Sequence, residues 1–306
     1  MASSEGTYYV PEQSKLPILA SFGLFLTVFG AGHWMNGSNY GPWLFWAGAL
    51  VFAAVLWSWF ATVIDENMAG LNSPRLKRSY VWGMGWFIFS EVMFFAAFFG
   101  ALFYIRNFAL PWLGAEVPHA EGNALLWPGF VAEWPLMNTP DMVLNGERAA
   151  VVGPDQNMSF PGLGSMFSWL PFWNTAILLS SSVTIHFAHT ALKNNQRKAF
   201  NIWLGVTVLL GIIFLILQAE EYIHAYTEMG LTLKSGVYGT TFFMLTGFHG
   251  VHVTIGTFML LVMWLRSVLK GHFKPDDCFG FEAASWYWHF VDVVWVGLFL
   301  AVYIFG

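Results

Sequence analysis

Charge is scarce in this chain. Only 10% of its 306 residues are Asp, Glu, Lys or Arg, where a soluble globular protein carries about a quarter. Cysteine is nearly absent. The single Cys278 excludes an internal disulfide, and with it cysteine-paired zinc sites and thiolate clusters, which need several thiols. No basic run is long enough to make a nucleic-acid face, and the net charge is −5. There is no Ser-His-Asp order, no phosphate-cradling glycine loop and no haem-attachment cysteine motif. Internal repeats and low-complexity tracts are also missing. What fills the chain instead is apolar: hydrophobic residues make up 57%, and the mean hydropathy is +0.55. The 17 Trp and 31 Phe suit helices whose ends lie at lipid headgroups.

A bilayer-spanning helix needs about 20 mostly apolar residues. Seven runs meet that length: Leu16–Trp34, Tyr40–Ile64, Tyr80–Ile105, Ser168–Leu192, Phe200–Gln218, Val237–Arg266 and Ala283–Phe305. The residues ahead of the first run include Glu5, Glu12 and Lys15, and no small-residue cleavage site follows, so the run reads as a retained helix and not a signal peptide. Basic residues alternate with the spans. Lys15, then Arg75, Lys77 and Arg78, then Lys193, Arg197 and Lys198, then Arg266, Lys270 and Lys274 fall on one side, while Arg106, Arg148 and Lys234 fall on the other. The richer side is expected to be cytoplasmic, which puts the N-terminus inside and the C-terminus outside. The organisation expected is a two-helix arm over 1–64, a cytoplasmic loop over 65–79, and a five-helix bundle over 80–306. A long outer loop over 106–167 interrupts the bundle. Its Trp-Pro and Pro-Trp pairs suggest a structured cap at the membrane surface, since loops of that length are usually functional or disordered.

Ionisable groups inside a bilayer are costly and are candidate functional sites by default. Glu91 stands 11 residues into the third run, roughly 16 Å from the inner edge by helical rise. A carboxylate there would be expensive to desolvate, so the neutral acid is the expected form. It either fixes helix packing or takes part in proton or lipid handling. His252 lies at a comparable depth, roughly 21 Å, so Glu91 is expected to hydrogen-bond to the sixth run at His252, with His249 the second choice. His249 with His252, and His186 with His189, are i, i+3 pairs that suit either metal ligation or helix–helix hydrogen bonds. Neither comes with the further ligand that a closed metal site needs. Glu221 and His224 have the Glu-x-x-His spacing of di-iron bundles, but only one copy is present. Asp292 is about 14 Å into the seventh run. It either faces protein within the bundle or contacts a partner subunit.

Several motifs together resemble subunit III of haem–copper cytochrome c oxidases. They are Phe89–Phe95 around Glu91, Gln218-Ala219-Glu220-Glu221-Tyr222, Gly236–Phe243 leading into Thr246–Val253, and Phe279–Trp295. The resemblance implies an all-α integral membrane fold of seven transmembrane helices, the first two and last five forming a V-shaped bundle whose cleft holds phospholipid. It implies no catalytic residue and no metal or other cofactor in this chain, with haem and copper in partner subunits. The partners implied are the catalytic subunit I and other oxidase subunits, with cytochrome c an indirect one. The role implied is to sustain proton uptake and protect the active site during turnover. Glu91 matches the family's carbodiimide-reactive carboxylate. Arg266 matches an arginine that contacts lipid headgroups, with His272 beside it in the same role. The chain departs from the pattern at Val81-Trp82-Gly83-Met84, where relatives often carry an arginine first; Lys77 and Arg78 are the nearest replacements. The long loop points to a bacterial inner-membrane oxidase.

Other classes fit less well. A seven-helix photoreceptor would have its N-terminus outside and a lysine deep in the membrane, and no run has one. A secondary transporter would show inverted repeats with broken helices. A homologous subunit of a quinol oxidase or nitric-oxide reductase is the nearest rival, although such relatives often lack the first two spans.

Overall fold

The computed structural model describes residues 13–306; Glu5 and Glu12 lie outside them. Helix is the only extended regular structure among the described residues, with no β-strand beyond an isolated Lys274–Asp277 bridge. Seven helices are long and apolar enough to cross a membrane. They are α1 (Leu16–Met35), α2 (Gly41–Met68), α3 (Pro74–Tyr104, carried on to Leu113), α4 (Leu170–Lys193), α5 (Arg197–Glu228), α6 (Gly236–Lys270) and α7 (Phe279–Leu298, carried on to Ile304). Their ends overrun the apolar runs. α3 begins six residues before Tyr80, and α5 extends past Gln218 to Glu228. Hydropathy marks only the stretch inside lipid, whereas backbone hydrogen bonding continues through polar residues such as Arg75, Lys77, Glu220 and Glu221. The linker between α2 and α3 therefore shrinks from 65–79 to 69–73, and the long loop from 106–167 to 114–169. The chain divides into two compact units, one ending at Gly83 and one spanning Met84–Gly306.

In the first unit, α1 and α2 form an antiparallel hairpin that glycine makes tight. A Cβ on Gly23 would lie 2.9 Å from the Phe52 nitrogen, and one on Gly30, Gly41 or Gly48 would run into the backbone of Phe45, Trp34 or Thr27. Small residues at such crossings let helix backbones approach closely in lipid. The connection turns through Gly37 at φ +78°, and the Tyr40 hydroxyl meets His33 Nδ1 at 2.8 Å. A Gly30→Ala substitution should destabilise the hairpin by about 1–3 kcal/mol through overpacking. Gly32→Ala, where a Cβ meets nothing within 4 Å, should not. Thermal midpoints of the two variants in detergent check this; equal midpoints would show that close approach is unimportant.

The second unit is built around α7, whose buried residues are its largest: Phe281, Tyr287, Trp288 and Trp295. Trp288 is fully enclosed. Gly211 of α5 and Gly256 of α6 leave the slot for its indole, since a Cβ on either would come within 2.9 Å of the ring. The indole N–H donates to Ser181 Oγ of α4 at 2.9 Å. Thr184 and Thr207 hydroxyls meet at 2.8 Å and fix α4 against α5. Tyr222 and Thr246 hydroxyls, 2.6 Å apart, do the same for α5 and α6. Arg197 forks onto the carbonyls of His272 and Phe273, tying the start of α5 to the turn after α6, where Gly271 ends the helix at φ +61°.

The long loop is ordered by the helix ends it covers. Met158 N–H donates to the Tyr238 hydroxyl at 2.9 Å, and Phe160 N–H to the Tyr303 carbonyl at 2.8 Å. Phe130, Leu136 and Met158 join the core. Thr139 caps the short helix Pro140–Asn145, and Asp141 accepts from the backbone N–H groups of Ala150 and Val151. The Val151 and Asn145 hydrogen bonds hold the Asp141 carboxyl below the usual carboxylate range.

Candidate functional site: a carboxyl–imidazole pair between α3 and α6

Glu91 Oε2 lies 2.9 Å from His252 Nε2. The two side chains are mostly enclosed, at 22% and 11% exposure. Glu91 sits on α3 in a run of aromatics, and these frame the imidazole together with Tyr287 of α7. Phe95 meets the His252 ring edge-on at 4.9 Å, and Tyr287 stacks over it at 6.3 Å. The other ring nitrogen decides the chemistry. His252 Nδ1 is 2.6 Å from the Phe248 carbonyl, and a carbonyl only accepts, so Nδ1 carries a hydrogen. A neutral ring then presents a lone pair at Nε2, and Glu91 must donate to it as the acid. If Nε2 also carries a hydrogen, the ring is a cation facing a carboxylate. Either form has one proton between the two groups and no net charge. A second loss would set lone pairs against each other in a low-dielectric setting, the arrangement that buried polar groups avoid.

His249 lies a turn away and does not join this pair. It is fully buried, and its Nε2 donates to the Val291 carbonyl of α7 at 3.2 Å. The two histidines of Thr246–Val253 thus serve two different helices and converge on no common point. Asp292, also buried at 4% exposure, faces protein. Its Oδ2 is 3.8 Å from His289 Nδ1, which the Ser182 hydroxyl meets at 2.8 Å. Serine and aspartate flank the same ring nitrogen, so the group is no nucleophilic triad, which uses both nitrogens.

At the end of the unit that carries Lys193, Arg197 and Lys270, Arg266 donates Nε–H to His272 Nδ1 at 3.4 Å and lies over the Phe273 ring at 4.7 Å. These two lipid-site candidates are therefore neighbours, with part of the guanidinium already held by the turn. At the same end is a group that sequence reasoning missed. Glu282 meets Lys193 Nζ at 2.7 Å and His189 Nε2 at 3.3 Å, with Cys278 Sγ 3.4 Å away. Burial pushes the Cys278 thiol up from its ordinary value, with the Glu282 charge adding to the shift. The i, i+7 spacing of Glu282 and His289, matched by His189 and Ser182 on α4, was the available signal.

Glu221 and His224 part company. Glu221 is buried and accepts from the Tyr303 hydroxyl at 2.6 Å, while His224 pairs with Glu228 on the exposed side. Among the described residues no three His, Cys, Asp or Glu side chains gather closely enough to hold a metal ion.

A family model described as cytochrome c oxidase subunit III matches residues 6–149 and 165–306. The chain belongs to the cytochrome c oxidase subunit III family. Curated relatives agree along their whole length. Cytochrome c oxidase subunit 3 of Drosophila melanogaster is 37% identical over 99% of this chain and 98% of its own. That of Papio hamadryas is 34% identical over 98% and 97%, and that of Prototheca wickerhamii 36% over 98% and 97%. The subunit III model skips 150–164, a stretch of the long loop. With seven apolar helices and this family, the chain is a multi-pass membrane protein whose partners are other oxidase subunits.

Proposed function

We infer that this chain is the non-redox subunit III of a proton-pumping terminal oxidase in a bacterial inner membrane. It sustains proton uptake by the catalytic subunit, keeps that subunit stable in turnover and holds phospholipid. Haem and copper belong to the partner subunits, and cytochrome c is met only through them. The observation that carries the reading is the Glu91–His252 pair, a protonatable link inside the apolar part of two spanning helices, in the motif the family resemblance assigns to a reactive carboxylate. A pair that keeps one proton pins α3 to α6 without burying a net charge, whose desolvation would cost several kcal/mol. The basic residues Lys193, Arg197, Lys198, Arg266 and Lys270 support an inward-facing position for their end of the unit, by the positive-inside rule. There the donors of Arg266 not used by His272 suit phosphate headgroups, as basic pockets on that side do.

The test uses the whole complex purified in mild detergent. It should contain a haem-bearing partner, and stripping this chain should shorten the number of turnovers before activity dies; adding the chain back should restore it. An unchanged turnover lifetime in the stripped complex would defeat the reading.

A further inference from the structure

The surface of the second unit is apolar where α5 faces outward, as at Ile202, Leu209, Ile212 and Ile216. The seam between α4 and α7 is different. These helices run antiparallel in a fixed register: His189 meets Glu282, Ser182 meets His289, and Thr175 meets the Trp295 indole. On the outer side of the seam the His289 side chain is 43% exposed. Its Nδ1 is taken by Ser182, and its Nε2 has no hydrogen-bond partner among the described residues. His186, one turn from Ser182, is also exposed, and no hydrogen bond from the described residues reaches its ring. By helical rise His289 is roughly 15 Å from the start of α7, and His186 roughly 10 Å from the end of α4. Both therefore lie within a hydrocarbon layer about 30 Å thick. Ionisable side chains at that depth almost always face protein or a water-filled cavity. Above them the seam turns apolar, with Val293 70% exposed and Leu179 beside it in the register.

We propose that the α4–α7 seam is the surface on which a membrane-spanning helix of another oxidase subunit docks, one that offers a hydrogen-bonding side chain to His289 and His186. The surface rests on the reading of the chain as an oxidase subunit and adds where the partner sits. Val293 and Leu179 supply apolar packing, and the imidazoles supply the polar contact that lipid tails cannot satisfy. Ser182 and the buried Asp292 orient the His289 ring so that its Nε2 points out of the unit. A free amide, hydroxyl or carboxylic acid on the docking helix answers either ring tautomer.

The experiment places a photo-crosslinking residue at Val293 and, separately, at Leu209 on the α5 face, in the whole complex in native membranes. The Val293 probe should capture another oxidase subunit, and the Leu209 probe only lipid. Lipid adducts alone from Val293, in a complex that keeps its haem-bearing partner, would overturn the docking surface. So would a second copy of this chain captured there, or equal capture of the partner from both positions. A chain that purifies with no haem-bearing partner would instead overturn the oxidase reading itself. As a second measurement, H289L should weaken retention of the partner roughly three- to tenfold, the worth of one interhelical hydrogen bond in a membrane, and H289Q should restore part of it. Equal retention by both variants and the native chain would also overturn the surface.

Discussion

Replacing Glu91 with alanine is expected to shorten the turnover lifetime of the oxidase and loosen this subunit in the complex. His252 Nδ1 is committed to the Phe248 carbonyl, so among the described residues its Nε2 has only Glu91 to meet. Truncation leaves that nitrogen enclosed and unpartnered, which costs about 1–3 kcal/mol. Glutamine keeps the length and offers an N–H to the Nε2 lone pair, so Glu91→Gln should retain most of the link and differ mainly in holding no transferable proton. The two variants separate packing from proton chemistry. If only packing matters, Gln behaves as the native chain and Ala does not. If the shared proton matters, Gln assembles normally but loses activity early. Subunit retention on purification and turnover number before inactivation are the two readouts, and identical values for Ala, Gln and native chains would make Glu91 a passive residue. Combining Glu91→Ala with His252→Ala should cost less than the sum of the two single losses, by roughly 0.5–3 kcal/mol for groups in contact.

Trp288→Ala should have the largest effect on stability. The indole is wholly enclosed, fills a slot that two glycines leave for it, and donates to Ser181. Removing a large core aromatic costs about 3–5 kcal/mol, transfer and cavity together. Trp288→Phe restores most of the volume and loses the hydrogen bond, about 1 kcal/mol. The thermal midpoint at which this subunit dissociates should therefore fall far more for Ala than for Phe. A Phe variant as unstable as Ala would assign the effect to the Ser181 bond alone.

Much of this architecture can be read without coordinates, for reasons that differ by element. The seven spans are legible because lipid leaves helix length and apolarity little freedom, and α1 through α7 each carry the required run. The ends are less so: Pro74–Ser79 and Glu220–Glu228 are polar but helical, since a helix leaving the bilayer keeps its backbone bonds. Depth alone placed Glu91 beside His252, because both distances count from the same membrane edge. Depth could not say that His249 turns instead to Val291, as that depends on which way a ring rotates around α6. The α4–α7 pairs were hidden for a related reason. Ser182, His189, Glu282 and His289 show in sequence only a matching i, i+7 spacing and become a set once two helices far apart in the chain are brought into antiparallel register. Cys278 taught only by its solitude in the sequence; its place beside Lys193 and Glu282 comes from the turn that brings the start of α7 to the end of α4.

The slot around Trp288 also bears on how the subunit is made. Its walls come from α4, α5 and α6, and the residue that fills it comes from α7, which leaves the ribosome after all three. Until that span enters, Gly211, Gly256 and Ser181 have no indole to close on, and Thr175 and His249 lack the Trp295 and Val291 groups they bond. Closure of the slot is therefore coupled to insertion of α7. A chain cut before α7 would leave His249 Nε2 without its Val291 acceptor, while Ser181 and Thr175 would keep the bonds within their own helix.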